Sequence, residues 1–249
     1  MVDAVRTILV IKVGTSTLIG DGEMPGIAFE RVARSVAALR STREIIVVTS
    51  GAIGFGMKRL GESVRPTDIT ELQALATVGQ ANLMAYWAQH FDGINVGQVL
   101  VTARDLDSPD RVLVLDRVFR SMWARGVVPI INENDAISYD EISFGDNDKL
   151  AALVASSVGA SELVLLTDQD GVQEAYGTSN QRRIEVLDVS EADQHVVDQR
   201  SSHGTGGIAS KLIAATIAQR HGVHVYIADA RHERATELVL AGKVGTKLV

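Results

Sequence analysis

Residues 7–17 read TILVIKVGTST: a run of isoleucine, leucine and valine holding one lysine near its end, then a glycine and three hydroxyl side chains. A segment that is apolar nearly throughout, rather than at every second position, suits a strand covered on both faces, and such strands belong to parallel sheets. The rest of the chain repeats the theme. Buried strands are predicted at Ile8–Val13, Glu44–Thr49, Val96–Thr102, Val127–Ile131, Glu162–Thr167 and His224–Ala228. Between them, apolar residues at helical period predict helices near Ala28–Arg40, Glu71–His90, Arg111–Arg125, Lys149–Val158 and Ile208–Arg220. This alternation is the signature of an α/β fold, a mostly parallel sheet with helices on both faces. Ala136–Phe144 and Arg183–Val189 alternate over short spans and read as small hairpins or edge strands. No repeat, low-complexity tract or Pro/Gly/Ser-rich linker divides the 249 residues, so a single domain over 1–249 is expected.

Composition narrows the functional classes. Acidic side chains outnumber basic ones, 31 to 24, and no basic run is interleaved with aromatics, which argues against a nucleic-acid partner. With no cysteine, thiolate metal sites and cysteine redox chemistry are excluded. The six histidines show no paired spacing suited to a metal, and no metal ligand is assigned. The apolar run near the N-terminus is too short to span a membrane and lacks a cleavage pattern, so a soluble, cytoplasmic protein is expected.

Ligands of open α/β sheets bind beyond the carboxyl ends of the strands, and here glycines and small polar residues crowd those exits. Lys12 lies near the end of the first strand, where a buried ammonium is costly unless an anion meets it; Gly14 and its neighbours offer backbone N–H groups close by. The second strand runs into VVTSGAIGFG, which fits neither the dinucleotide fingerprint nor the nucleophile elbow. Ser50, Gly51 and Ala52 are small enough to let a substrate approach the backbone there, though a tight strand-to-helix connection would look the same. HGTGGIASKL lacks the Walker spacing but places Lys211 in the first turn of a helix, the end the macrodipole makes unfavourable for a cation unless an anion lies between. LLTDQDG ends the fifth strand with Thr167 and Asp168, placed to touch a nucleotide, and with Asp170, which reads as an Asp-Gly turn residue. NENDA and GDNDK gather Asn132, Glu133, Asn134, Asp135, Asp146, Asn147 and Asp148, more polar groups than caps and turns need.

The series KVGTS, VTSGAI, QALATVGQ, GQVLVT, VVPIINENDA, GDNDKL, LLTDQDG and GTGGIASK resembles the glutamate 5-kinases of the amino acid kinase superfamily, in order and spacing from about residue 6 to about residue 246. The resemblance implies a three-layer αβα sandwich around a mainly parallel eight-stranded sheet. It also implies ATP- and Mg²⁺-dependent phosphorylation of the γ-carboxylate of L-glutamate at the start of proline synthesis, feedback inhibition by proline, and a homodimer or homotetramer. By the same resemblance, Lys12 and Lys211 contact the ATP phosphates and Asp148 orients them. Ser50, Gly51, Asp135 and Asn147 bind glutamate. Gly14, Thr167, Asp168, Thr205, Gly206, Gly207, Ile208, Ala209, Ser210 and Lys211 line the nucleotide path.

Three departures stand out: the chain stops at Val249 without the C-terminal RNA-binding-like (PUA) module of many members, VQEAYG replaces the usual continuation after TDQDG, and Ile208–Lys211 replaces the commoner Met-x-Thr-Lys. Two rival readings are a related kinase acting on another small carboxylate, phosphate or phosphonate, and a non-catalytic ligand sensor on the same fold.

Overall fold

The computed structural model describes residues 6–20, 26–138, 147–191 and 207–249. Its centre is strand β1 (Thr7–Val13), buried from Ile8 onward. On one side β1 pairs in parallel with β2 (Arg43–Val48), and on the other with β5 (Glu162–Thr167). Beyond β2 lie β4 (Val128–Glu133) and then β3 (Val96–Val101) at the edge, both parallel. Beyond β5 lies β9 (His224–Asp229), parallel, followed by β10 (Thr246–Leu248), antiparallel to β9. The short β8 (Val186–Leu187) closes that edge beside β10 and completes the eight strands.

Helices cover both faces, as non-alternating strands require. Ile8 and Val10 of β1 meet one apolar cluster, under α6 (Pro109–Trp123), α7 (Asp148–Ser157) and α8 (Ile208–Gln219). Leu9, Ile11 and Val13 meet the other, under α2 (Ile27–Leu39), α3 (Ala52–Leu60), α4 (Ile69–His90) and α9 (Ala235–Leu240). The three-layer αβα arrangement is thus the expected one.

The predicted core strands and helices all occur, with ends shifted by at most two residues. Of the short segments, Arg183–Val189 follows its edge-strand reading in part. Arg182–Arg183 (β7) pairs antiparallel with Gln173–Glu174 (β6) in a separate two-stranded sheet, whereas Val186–Leu187 is an edge strand of the main sheet. Of Ala136–Phe144, residues 139–144 lie outside the described residues. The first part is a turn in which the Ile137 and Ser138 N–H groups both donate to the Asn134 carbonyl. The helices α1 (Thr15–Ile19), α5 (Ala103–Leu106) and α9 were not predicted, being four to six residues long, below the length at which a helical period is readable. No helix among the described residues is long and apolar enough to cross a membrane.

Chain order identifies where a site belongs. From β1 the chain moves outward through β2 to the edge strand β3, returns to β4 between those two, and then crosses to β5 on the other flank. The strand order therefore reverses at β1, and the crevice beyond its carboxyl end is the expected ligand position.

Candidate active site

Period-two alternation carries Lys12 onto the same face as Ile8 and Val10. In the register it is flanked by Val48 of β2 and Leu165 of β5, both members of the apolar cluster on that face. Its side chain is only 4% exposed, so the ammonium has nowhere to go but inward. There it meets Asp148, the first residue of α7, with Nζ 2.6 Å from Oδ1. Lys211 reaches the other oxygen from α8, Nζ to Oδ2 3.0 Å, and the Ser210 hydroxyl donates to that same oxygen at 3.0 Å. Ser210 Oγ also lies 2.8 Å from the Gly207 carbonyl.

Asp148 is fully buried, and Lys211 is 6% exposed. The carboxylate sits at a helix N-terminus, where the macrodipole favours it. Two ammonium groups thus converge on one carboxylate in a dry place at the strand exits, where an anionic ligand could meet them. Gly14 follows directly, and a Cβ there would lie 3.6 Å from Lys12 Nζ. The glycine thus keeps the approach to that ammonium open.

Asn147, adjacent to Asp148, belongs to a different network. It is the cap residue of α7, but its side chain makes no capping bond. Instead Nδ2 donates to the Thr49 carbonyl at 2.6 Å and to Asn132 Oδ1 at 2.7 Å. Asn132 Nδ2 donates to Gln80 Oε1 at 2.8 Å, and Gln80 Nε2 to Gln98 Oε1 at 3.0 Å. Thr49 is held from α4 by Trp87, whose indole N–H donates to its hydroxyl at 3.0 Å. Asn147 and Asp148 therefore serve the two sides of the sheet: the asparagine ties into the α4 layer and the aspartate into the α7–α8 layer.

Ser50 is buried at the exit of β2, and Gly51 caps α3 with φ +106°, a left-handed conformation that glycine adopts without strain. The small residues of SGAIGFG have a second cause. At the α3–α4 crossing, a Cβ on Gly79 would stand 1.8 Å from the Ala52 carbonyl, and one on Gly56 would stand 2.0 Å from the Leu75 carbonyl. The two helices touch backbone to backbone, which holds the Ser50–Ala52 turn against the sheet.

Thr167, Asp168, Gly207, Ile208 and Lys211 share one cleft between the exit of β5 and the start of α8. The Thr167 hydroxyl donates to Asp168 Oδ1 at 3.2 Å, and Arg231 holds the Asp168 carbonyl at 2.9 Å. Gly207 caps α8, and Ala209 lies in its first turn. Thr205 and Gly206 lie outside the described residues, as does Asp146. Asp170 is structural, as its turn predicts: Oδ1 accepts the Gly245 N–H at 3.0 Å and so ties the loop after β5 to the start of β10.

Asp135 is half-buried beyond the end of β4. Burial pushes its carboxyl up to about 6, with the Arg65 guanidinium opposing the shift. A carboxylate held so far above its ordinary range is short of positive partners, and a ligand ammonium would supply one. Among the described residues no group of three or more histidines, aspartates or glutamates is arranged to hold a metal ion.

Among the described residues, Lys12, Asp148 and Lys211 thus form a charged trio, Asn147 joins an amide network, Thr167, Asp168, Gly207 and Ile208 line one cleft, and Ser50, Gly51 and Asp135 lie at the exits of β2 and β4. Sequence reasoning gave Lys12, Lys211 and Asp148 their contact. It did not find Thr49, Gln80, Gln98 and Trp87, and it counted Asn132 only among surplus polar groups. A signal existed for Gln80 and Trp87. They lie seven residues apart, on the helix stripe that also carries Leu83, and that stripe is buried.

The amino acid kinase family matches residues 7–229. A glutamate 5-kinase from Thermus thermophilus is 41% identical over 239 residues, covering 94% of this chain and 65% of that protein. One from Marinomonas is 39% identical over 246 residues, with 95% and 65% covered. One from Prochlorococcus marinus is 36% identical over 248 residues, with 95% and 69% covered. The chain thus spans about 65% of the length of the first two relatives. Among solved structures, carbamate kinase from Giardia lamblia bound to AMP-PNP superposes with a TM-score of 0.69 at 14% identity, covering 98% of this chain and 99% of that one. N-acetylglutamate synthase from Neisseria gonorrhoeae, complexed with coenzyme A and L-arginine, gives 0.69 at 18%, covering 98% and 61%. At these identities the superpositions speak for the fold alone.

Proposed function

Because the chain belongs to the amino acid kinase family, we propose that it transfers the γ-phosphoryl group of ATP to the γ-carboxylate of L-glutamate, the first step of proline synthesis. The observation that carries this reading is the buried Lys12–Asp148–Lys211 trio at the strand exits, two ammonium groups held on one carboxylate with Gly14 beside them. The identity to relatives named glutamate 5-kinase supports glutamate as the acid.

A γ-carboxyl group is ionised at neutral pH, so it attacks without a general base. The protein's tasks are to bring two anions into line and to offset the charge that spreads over the transferring oxygens. Lys12 and Lys211 approach from two layers and offset that charge; Asp148, gripped at both oxygens, keeps their ammonium groups at fixed positions. The N–H groups at the start of α8, the Gly14 opening, Thr167 and Asp168 hold the nucleotide. Ser50, the Gly51 backbone, Asn147 and Asp135 hold glutamate, with Asp135 opposite its ammonium. Mg²⁺ arriving with the nucleotide would supply further charge neutralisation, and no side chain among the described residues is assigned to hold it. A single catalytic domain, a homodimer or homotetramer, a cytoplasmic location and inhibition by proline follow from the same reading.

The test is ADP release with ATP and Mg²⁺ across a panel of small acids, hydroxylamine being present to trap an acyl phosphate. Glutamate-dependent hydroxamate is expected. Turnover with a different acid and none with glutamate would favour a related kinase instead.

A further inference from the structure

We propose that Gln80 is a specificity-determining positioning residue: through a directed chain of buried amides it holds Asn147 with Oδ1 as the atom offered to the acid's ammonium. The inference rests on the reading of the acid as glutamate. Its basis is the polarity of the chain. A carbonyl oxygen only accepts, so the atom of Asn147 that lies 2.6 Å from the Thr49 carbonyl must be the nitrogen. That nitrogen also donates to Asn132, which requires Oδ1 of Asn132 at the contact. The Asn132 nitrogen then faces Gln80, which must present Oε1, and the Gln80 nitrogen donates onward to Gln98. One fixed carbonyl thereby orients three amides in sequence.

The consequence for the site lies at the near end. With both N–H groups of Asn147 spent on Thr49 and Asn132, its oxygen is what the side chain can give a ligand, an acceptor matched to an ammonium. Asn132 and Gln80 are buried, so neither can exchange its partner for bulk water. If Gln80 could not accept, the Asn132 donor would be left unsatisfied and its amide free to turn. A turned Asn132 would set N–H against N–H at Asn147 and remove the constraint on that side chain. Gln80 touches neither substrate nor nucleotide in this scheme and acts only through Asn132.

Two variants separate orientation from packing. Gln80→Glu still accepts from Asn132, whereas Gln80→Leu cannot. In 15N spectra of the substrate-free chain, the side-chain amide protons of Asn132 and Asn147 are expected to be protected from solvent exchange in the wild type and in Gln80→Glu, and to lose protection in Gln80→Leu. By calorimetry, the preference for glutamate over glutarate, which lacks the amino group, should drop at least about tenfold in Gln80→Leu, the value of one hydrogen bond to a charged group. It should be kept in Gln80→Glu, and ATP affinity should be alike in all three. Unchanged amide protection in a folded Gln80→Leu would overturn the proposal, as would an unchanged preference in a protein that binds glutamate. A wild type that binds no glutamate would instead refute the substrate reading, with the amide protons still deciding on the relay.

Discussion

At Asp148 two buried lysines share one carboxylate, and their ranking in the reaction follows from what each can reach. Lys12 comes from the central strand and Lys211 from α8, so in the proposed reaction both face the transferring phosphoryl group, while the amide network addresses the acid. Lys12→Ala and Lys211→Ala are therefore expected to lower kcat by about a hundredfold or more, the scale of losing one preorganised charge, while the glutamate KM moves only a few-fold. Steady-state kinetics check this, and a lysine variant with normal kcat would remove that residue from the mechanism. Asp135 gives a pH signature. Its folded value of about 6 lies above the ordinary 3.8. Its neutral form is thus favoured by folding, and this group's contribution to stability declines as pH rises between the two values. Only the anion attracts an ammonium, so the glutamate KM should fall as pH rises through about 6. Asp135→Asn should show a high KM without that fall. A wild-type KM that is flat from pH 5 to pH 8 would contradict the pairing.

The helices place these groups through close backbone contacts as much as through side chains. Gly79→Ala would drive a methyl against the Ala52 carbonyl and push α4 away from α3. Overpacking of this kind costs about 1–3 kcal/mol. A lower Tm by calorimetry is expected, together with a raised glutamate KM, because the Ser50–Ala52 turn rides on that contact. Wild-type values of both would show that the crossing does not position the turn. The same elements show what the sequence could and could not tell. The β1 run and its lysine were legible because burial on both faces leaves an unbroken apolar pattern, and a cation within it is conspicuous. Glycine-rich SGAIGFG was ambiguous because close helix packing and substrate approach call for the same small residues. The connection Gln98–Gln80–Asn132–Asn147 was not legible, although some of its members were, since they come from β3, α4, β4 and the start of α7 and meet only after folding.

Across the whole molecule, a net charge of −7 opposes the approach of the two anions of the proposed reaction, ATP and an acid. The fold answers locally. The reversal of strand order at β1 opens a crevice in which two lysines converge on one aspartate, and the helix layers on the two faces bring the charged trio and the amide network to the same strand ends. The central claim is that the carboxylate itself attacks phosphorus there. Glutamate labelled with 18O in both γ-carboxylate oxygens tests this directly. The acyl phosphate would carry one labelled oxygen between carbon and phosphorus. When its own amino group closes a five-membered lactam, the C–O bond breaks and that oxygen leaves with phosphate. Inorganic phosphate released from ATP in this reaction should show a single 18O by 31P NMR; phosphate free of label would mean that water, not the carboxylate, had taken the phosphoryl group.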